Sequence, residues 1–283
     1  MIVAEGCEQA EAVAQAIGTD LCRWGRAGGA DVDLGLAMRL AGVVAAITPD
    51  LDVARLTVLA RYTLWTFLVD DELDDTAADA AVLAGLAARL SRVARAAPAG
   101  SGAPHVLETM LAELVESLRA ASASPALLHR FSDALCVAID TGVQHTVRAQ
   151  AIRQRRAAAP TVVEYLSVAA HHVNYRSFAY ALLILAGPDP ASVAGARTDM
   201  ALTAAARAVR IANDLRSVDR DRAAGRLNVM LLPPGAMDAA ALERQIDHYV
   251  RLHDRLLRDV AEADVLRRSL RVAVGIYRVT DLR

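Results

Sequence analysis

The sequence contains no lysine: all 31 basic residues are arginine, set against 33 acidic ones, which gives a net charge of −2 and a pI near 6.4. That balance gives no support to a nucleic-acid partner or an anionic membrane surface. Cysteine is scarce as well. Cys7, Cys22 and Cys136 are an odd number, lie far apart and form no C-x-x-C, which argues against a disulfide scaffold or a zinc ribbon and points to reduced thiols in a reducing compartment. The N-terminus has no basic segment leading into an apolar core, so no secretory signal is expected. The longest apolar runs, such as Phe178 to Gly187, stop well short of the roughly 20 residues a membrane span needs. No membrane span and a cytoplasmic location are therefore expected. Aromatic residues make up only 4% of the chain, so each one is worth placing.

What the sequence has in quantity is alanine, leucine and arginine, with apolar residues recurring at three and four and almost no alternation of β-branched residues. These are helix formers at helical spacing, and they predict an all-α chain. Helices are expected near 6–26, 33–47, 50–70, 77–96, 104–122, 125–152, 161–186, 190–222, 237–260 and 263–280. Breakers separate them at Ala97 to Pro104, Gly187 to Pro190 and Pro233 to Gly235. Thr161 three residues before Glu164 matches a capping box. No breaker is long enough to act as a linker, so residues 1–283 are expected to form one domain, an antiparallel bundle.

Two stretches carry chemistry. Within a helix over residues 201–223, Arg210, Asn213, Ser217 and Asp221 fall three, four and four residues apart and share one stripe. That stripe presents an amide oxygen, a hydroxyl and a carboxylate, the hard donors that Mg²⁺ takes alongside waters and phosphate oxygens. The second stretch is Asp70 to Asp75, with five acidic residues among six at the end of an amphipathic run. Carboxylates at a helix C-terminus oppose its dipole, a placement that favours resident cations.

Together, Asp70-Asp71-x-x-Asp74 and Asn213-Asp-x-x-Ser217-x-x-x-Asp221 resemble the two metal-binding motifs of class I terpene synthases. The string Arg210 to Asn228 is most similar to bacterial diterpene synthases acting on labdane-type, bicyclic diphosphates. The resemblance implies an all-α fold around a central apolar cavity, three Mg²⁺ ions and a prenyl diphosphate substrate. By the same resemblance Asp70, Asp71, Asp74, Asn213, Ser217 and Asp221 are metal ligands, Arg210 binds diphosphate, and Asp70, Asp74, Asn213 and Arg210 carry catalysis. Asp221 departs from the family's usual glutamate. Chain-elongating relatives carry aspartate-rich motifs on both sides, and protonation-initiated cyclases use an Asp-x-Asp-Asp acid that the 70–75 run lacks, so ionisation by loss of diphosphate is the expected first step.

Arg176 and Arg226 are further diphosphate candidates. The Glu164-Tyr165-Leu166 element lacks the diphosphate-sensing arginine that follows it in many cyclases of linear substrates, which fits the labdane-type relatives. Candidate pocket aromatics are Tyr62, Trp65, Phe67, Tyr175, Phe178 and Tyr180, with Tyr277 near the terminal element that caps the diphosphate in the family. The chain stops at Arg283, which leaves that capping role open. For His171 and His172, adjacent and therefore on different sides of a helix, one packed and one exposed ring is expected. Cyclases of linear geranylgeranyl or farnesyl diphosphate and a non-catalytic isoprenoid- or metal-binding protein remain as alternatives, with a homodimer and an upstream class II cyclase as possible partners.

Overall fold

A computed structural model describes residues 2–96, 103–187, 193, 195–233, 237–260 and 263–280, with side chains from Glu11 onward. Among the described residues the regular structure is helical throughout: α1 (Ile2–Ala27), α2 (Leu34–Ile47), α3 (Val53–Leu73), α4 (Ala80–Ala94), α5 (Val106–Ala121), α6 (Pro125–Arg153), α7 (Val162–His172), α8 (Tyr175–Ala186), α9 (Ala196–Ala224), α10 (Ala239–Leu256) and α11 (Ala263–Val279), with a 3₁₀ turn at Val229–Leu231. Of the expected breakers, residues 97–102, 188–190 and 234–235 lie outside the described residues, and Gly187, left-handed (φ 68°), ends α8.

Short polar side chains start the helices by accepting the orphaned first-turn amides. Asp33, Asp52, Asp79, Ser124 and Asp238 each cap in this way. Thr161 and Glu164 form the expected reciprocal box, and His105 with Glu108 forms a second one. Because Thr161 donates to Glu164, that exposed carboxyl titrates below its usual range.

The buried apolar residues form one connected cluster. Helix α6 packs against α4, α7 and α8, and α9 against α10, α11, α7 and α8; α3 bridges the two groups through α5 and α8. None of the described helices is long and apolar enough to cross a membrane.

One boundary differs from expectation. The helix predicted over 161–186 is two, because Asn174 takes a left-handed backbone (φ 59°) between α7 and α8. Asparagine is among the few non-glycine residues that adopt this conformation at little cost. The Asn174 carbonyl accepts from both Phe178 N (3.1 Å) and Ser177 Oγ (2.8 Å), so the break is fully hydrogen-bonded.

Far from this break, His253 on α10 is wholly buried and its ring titrates below the ordinary histidine range because burial disfavours the charged form. The unfolded chain therefore takes up a proton that the folded one refuses, and stability present above the unfolded value is lost as pH falls through it. The melting temperature is expected to drop between about pH 7 and about pH 5, and to drop less in His253→Gln, when followed by circular dichroism.

Candidate active site

Helix α3 ends at the acidic run, and its last turn is pinned from outside: Thr146 Oγ1 on α6 donates to the Leu73 carbonyl (2.7 Å), and Asp74 N closes onto Asp70 O (2.8 Å). Being four residues apart, Asp70 and Asp74 share one face and line a polar chamber, whereas Asp71 points away and is exposed. Across that chamber α9 presents Arg210, Asn213 and Asp221. Two stretches more than a hundred residues apart in sequence thus face one space. Ser217 sits behind it, its hydroxyl donating to Asp221 Oδ2 (2.7 Å).

The floor is a buried charge network. Tyr165 OH accepts from Arg210 Nε (2.9 Å) and Nη2 (2.7 Å) and donates to Asp214 Oδ2 (2.6 Å). Arg210 Nε also lies 2.9 Å from Asp214 Oδ1. Burial pushes the Asp214 carboxyl up to about 6 against the pull of Arg210, and it raises the Tyr165 hydroxyl. Burial opposes the Arg210 charge too, but Asp214 and Tyr165 outweigh it and hold the guanidinium charged. The pair is ionised at neutral pH, and the cost falls on the carboxylate.

The segment after α9 closes one side. Gly225, left-handed (φ 67°), ends the helix, and an added Cβ there would meet the Arg153 guanidinium at 2.8 Å. Arg226 Nη1 then reaches to 3.6 Å from Asp74 Oδ2, the Leu227 carbonyl accepts from Arg210 (3.3 Å), and Asn228 Nδ2 donates to Asp214 O (2.8 Å) and Asp221 Oδ2 (2.9 Å). Val229 N donates to Asp214 Oδ2 (3.1 Å). This loop therefore ties both motifs together.

Two histidines also line the chamber. His145 is driven well below its usual range, chiefly by burial and then by the Arg210 charge. For His172 burial pulls the same way, yet Asp74 and Asp70 overcome it and raise the ring.

Thr66, Phe67, Val173, Asn174 and Tyr277 border both this chamber and an apolar one, which is further lined by Val43, Ile47, Tyr175, Phe178 and Ile276. The polar space measures about 80 Å³ and the apolar one about 100 Å³. Each is well below the ~300 Å³ at the lower end of small-molecule sites, so a prenyl chain must spread these walls on binding. Of the expected pocket aromatics, Phe67, Tyr175, Phe178 and Tyr277 line the apolar space.

Three expected aromatics do not. Tyr62 and Trp65 are fully buried: Trp65 Nε1 donates to the Leu107 carbonyl of α5, Tyr62 packs edge-on against Phe131 of α6, and Tyr180 bonds to Asp199. Arg176 is likewise absent from the chamber: it pairs with Asp199 (3.4 Å), on the same face of α8 as Tyr180. Arg283 lies outside the described residues. His172 is buried as expected, but His171, expected to be exposed, is half-buried. Sequence reasoning assigned no part to Asp214, Tyr165, His145, His172 or Asn228. Asp214 and Tyr165 both stood inside quoted motifs, and a buried partner for Arg210 was the signal available.

The donor set suits a hard divalent cation. Asp74 Oδ1, His172 Nδ1 and Nε2, and Arg226 Nε are buried around the chamber without hydrogen-bond partners, the signature of a space built for a polar ligand. Among the described residues no three His, Cys, Asp or Glu side chains already converge as a cation cage. Mg²⁺ keeps several waters and shares substrate phosphate oxygens, so a half-built site on each wall is what it requires.

An all-α bundle with acidic and Asn/Ser/Asp helix faces across one chamber, opening toward an apolar space, defines the class I terpenoid synthase architecture. Residues 61–259 match the family described as terpene synthase family 2, C-terminal metal binding, and the chain belongs to that family. Solved structures agree on the fold. Linalool/nerolidol synthase from Streptomyces clavuligerus in complex with 2-fluorogeranyl diphosphate superposes with a TM-score of 0.72 at 20% identity, over 94% of this chain and 96% of that one. Germacradien-4-ol synthase from Streptomyces citricolor gives 0.69 at 16% identity over 95% and 92%. The ancestrally reconstructed SVS_A2 protein gives 0.72 at 17% over 94% and 84%. No curated protein matches in sequence.

Proposed function

We propose that this chain is a Mg²⁺-dependent class I diterpene synthase that ionises a labdane-type diphosphate by loss of diphosphate and converts the carbocation to a cyclic diterpene or alcohol. The observation that carries the chemistry is the shared chamber: Asp74 and Asn213 line one space whose inner wall is apolar. Asp70, Asp74, Asn213, Ser217 and Asp221 would hold up to three Mg²⁺ ions with the diphosphate, and Asp71, exposed, would act through water if at all. When bound, the ions neutralise charge on the leaving diphosphate.

The chain's own residues do the rest. Arg210, held charged by Asp214 and Tyr165, faces the anion, and Arg226 would leave Asp74 to join it. Phe67, Phe178, Tyr175 and Tyr277 exclude water and present ring faces worth ~0.5 to 2 kcal/mol each to the cation. Arg176 is withdrawn as a diphosphate ligand in favour of its Asp199 pair. The likeness of Arg210 to Asn228 supports the bicyclic substrate, which a class II cyclase would supply. A second reading, a linear geranylgeranyl or farnesyl diphosphate, is favoured by the match to a synthase solved with 2-fluorogeranyl diphosphate. We read the described residues as one catalytic domain, cytoplasmic and homodimeric; their one connected core supports the single domain.

Incubation with Mg²⁺ and, separately, labdane-type, geranylgeranyl and farnesyl diphosphates is expected to give the fastest pyrophosphate release with the bicyclic substrate. Turnover of linear substrates alone overturns the labdane reading, and tight binding without pyrophosphate release from any of them overturns catalysis.

A further inference from the structure

Helices α3 and α9 carry the two motifs yet share no substantial packing contact: α3 leans on α5 and α8, and α9 on α7, α8, α10 and α11. One join between their ends is Arg226 with Asp74 (3.6 Å), which opens when Arg226 turns to the anion. A second join lies outside the chamber. Thr76, two residues past Asp74, donates from Oγ1 to the carbonyl of Ala224, the last residue of α9 (3.2 Å). The same hydroxyl accepts from Arg153 Nη1 (2.9 Å), and the Thr76 carbonyl accepts from Arg153 Nη2 (2.9 Å). Gln150, also on α6, donates to the Ala78 carbonyl (2.8 Å), so α6 grips the loop after the acidic run at both Thr76 and Ala78. On the α9 side Arg153 lies directly over Gly225, where a Cβ would stand 2.8 Å from Nη1 and 3.0 Å from Cδ. The guanidinium thus sits at the carbonyl end of α9, where the helix dipole favours a cation.

We propose that Arg153 is a positioning residue: through Thr76 it fixes the spacing between the end of α3 and the end of α9, so that cations held on the two walls reach one diphosphate together. It touches neither the ions nor the anion. Its planar fork meets a hydroxyl and a carbonyl at once, which a lysine ammonium cannot match. The spacing matters because misplacing reacting partners by about 1 Å can cost ~10²-fold. Being exposed, Arg153 contributes little to global stability. The join also persists once Arg226 has left Asp74, when the two ends have most need of it. The inference rests on the reading of Asp70, Asp74, Asn213 and Asp221 as cation ligands, and its test requires no turnover.

The test titrates the purified chain with inorganic pyrophosphate at a series of Mg²⁺ concentrations, alongside thermal melts. In wild type, pyrophosphate affinity is expected to climb steeply with Mg²⁺, at more than one ion per anion. Arg153→Gln should flatten that dependence toward about one ion per anion and weaken pyrophosphate about tenfold at limiting Mg²⁺, with a melting temperature within a few degrees of wild type. Arg153→Lys keeps the charge without the fork and should share the defect. Thr76→Val removes the hydroxyl that links Arg153 to Ala224; it should flatten the dependence too, and adding Arg153→Gln to it should cost little more. Wild-type behaviour in Arg153→Lys overturns the inference, since charge alone would then explain the effect. So do additive losses in the double variant, or a lowered melting temperature with the Mg²⁺ dependence kept, which marks a merely structural contact. Unchanged Mg²⁺ dependence in all the variants overturns this inference alone, whereas a wild type that binds pyrophosphate without regard to Mg²⁺ overturns the cation reading of the chamber and this inference with it.

Discussion

Asp74→Asn should lower pyrophosphate release about 10³-fold, while Asp71→Asn, three positions earlier in the same motif, should cost less than about threefold. The contrast follows from the helix. Asp74 closes the last turn of α3 toward the chamber, and its Oδ1 is buried without a partner. Asp71 is rotated away into solvent. A cation that stabilises the departing diphosphate contributes several kcal/mol to the barrier, and ~4 kcal/mol corresponds to a factor of about 10³. The amide removes the negative charge but keeps shape, so His172 and Arg226 keep a polar neighbour and the fold should survive, with a melting temperature within a few degrees of wild type. Single-turnover release of pyrophosphate measures the effect. Equal losses at the two positions would mean that the motif works as a diffuse acidic field, and the proposed placement of the cation would fall with that result.

How far the site could be read from sequence depended on whether a residue's role was local. The acidic face of α3 and the Asn/Ser/Asp stripe of α9 are set by helical periodicity alone, so Asp70, Asp74, Asn213 and Asp221 were legible, and so was the cap at Thr161. The outward turn of Asp71 was legible in principle, since adjacent residues cannot share a face. Arg176 and Tyr180 were misplaced for one shared reason. Four residues apart on α8, they share the face that meets Asp199, whereas Tyr175 and Phe178, three apart, share the one that lines the apolar space. Tyr62 and Trp65 were misplaced differently: period 3.6 says which residues share a face with the motif but not whether that face meets a cavity or another helix, and here Trp65 meets α5 and Tyr62 meets α6. The partners of Arg210 and of Asp74 were out of reach because Tyr165, His172 and the 225–229 loop arrive by tertiary packing, at sequence separations that no local pattern records.

The same packing makes Asp214→Ala the most destabilising single change expected of any site residue, at ~3–5 kcal/mol. Asp214 is wholly buried and meets three donors: the Tyr165 hydroxyl, the Arg210 guanidinium and the Val229 amide. Truncation leaves Arg210 as a buried charge whose remaining partners are neutral, and it releases the loop that carries Arg226 and Asn228. For a chain of this size that loss lowers the melting temperature by roughly 5–8 °C. Tyr165→Phe takes away one hydroxyl but leaves the ion pair, so it should cost only ~1–3 kcal/mol. Asp214→Asn separates charge from shape: it keeps an acceptor for Val229 and Tyr165 and relieves the strain of ionising a carboxyl whose pKa burial has raised to about 6. Because that group favours the protonated form when folded, its own contribution to wild-type stability should decline as pH rises from about 4 to about 6, so stability relative to Asp214→Asn should fall over that range. Thermal melts of the three variants across that window decide the matter. An Asp214→Ala protein as stable as Tyr165→Phe would show that Arg210 finds water instead of a buried counter-charge, and the rigid floor beneath the diphosphate would have to be given up.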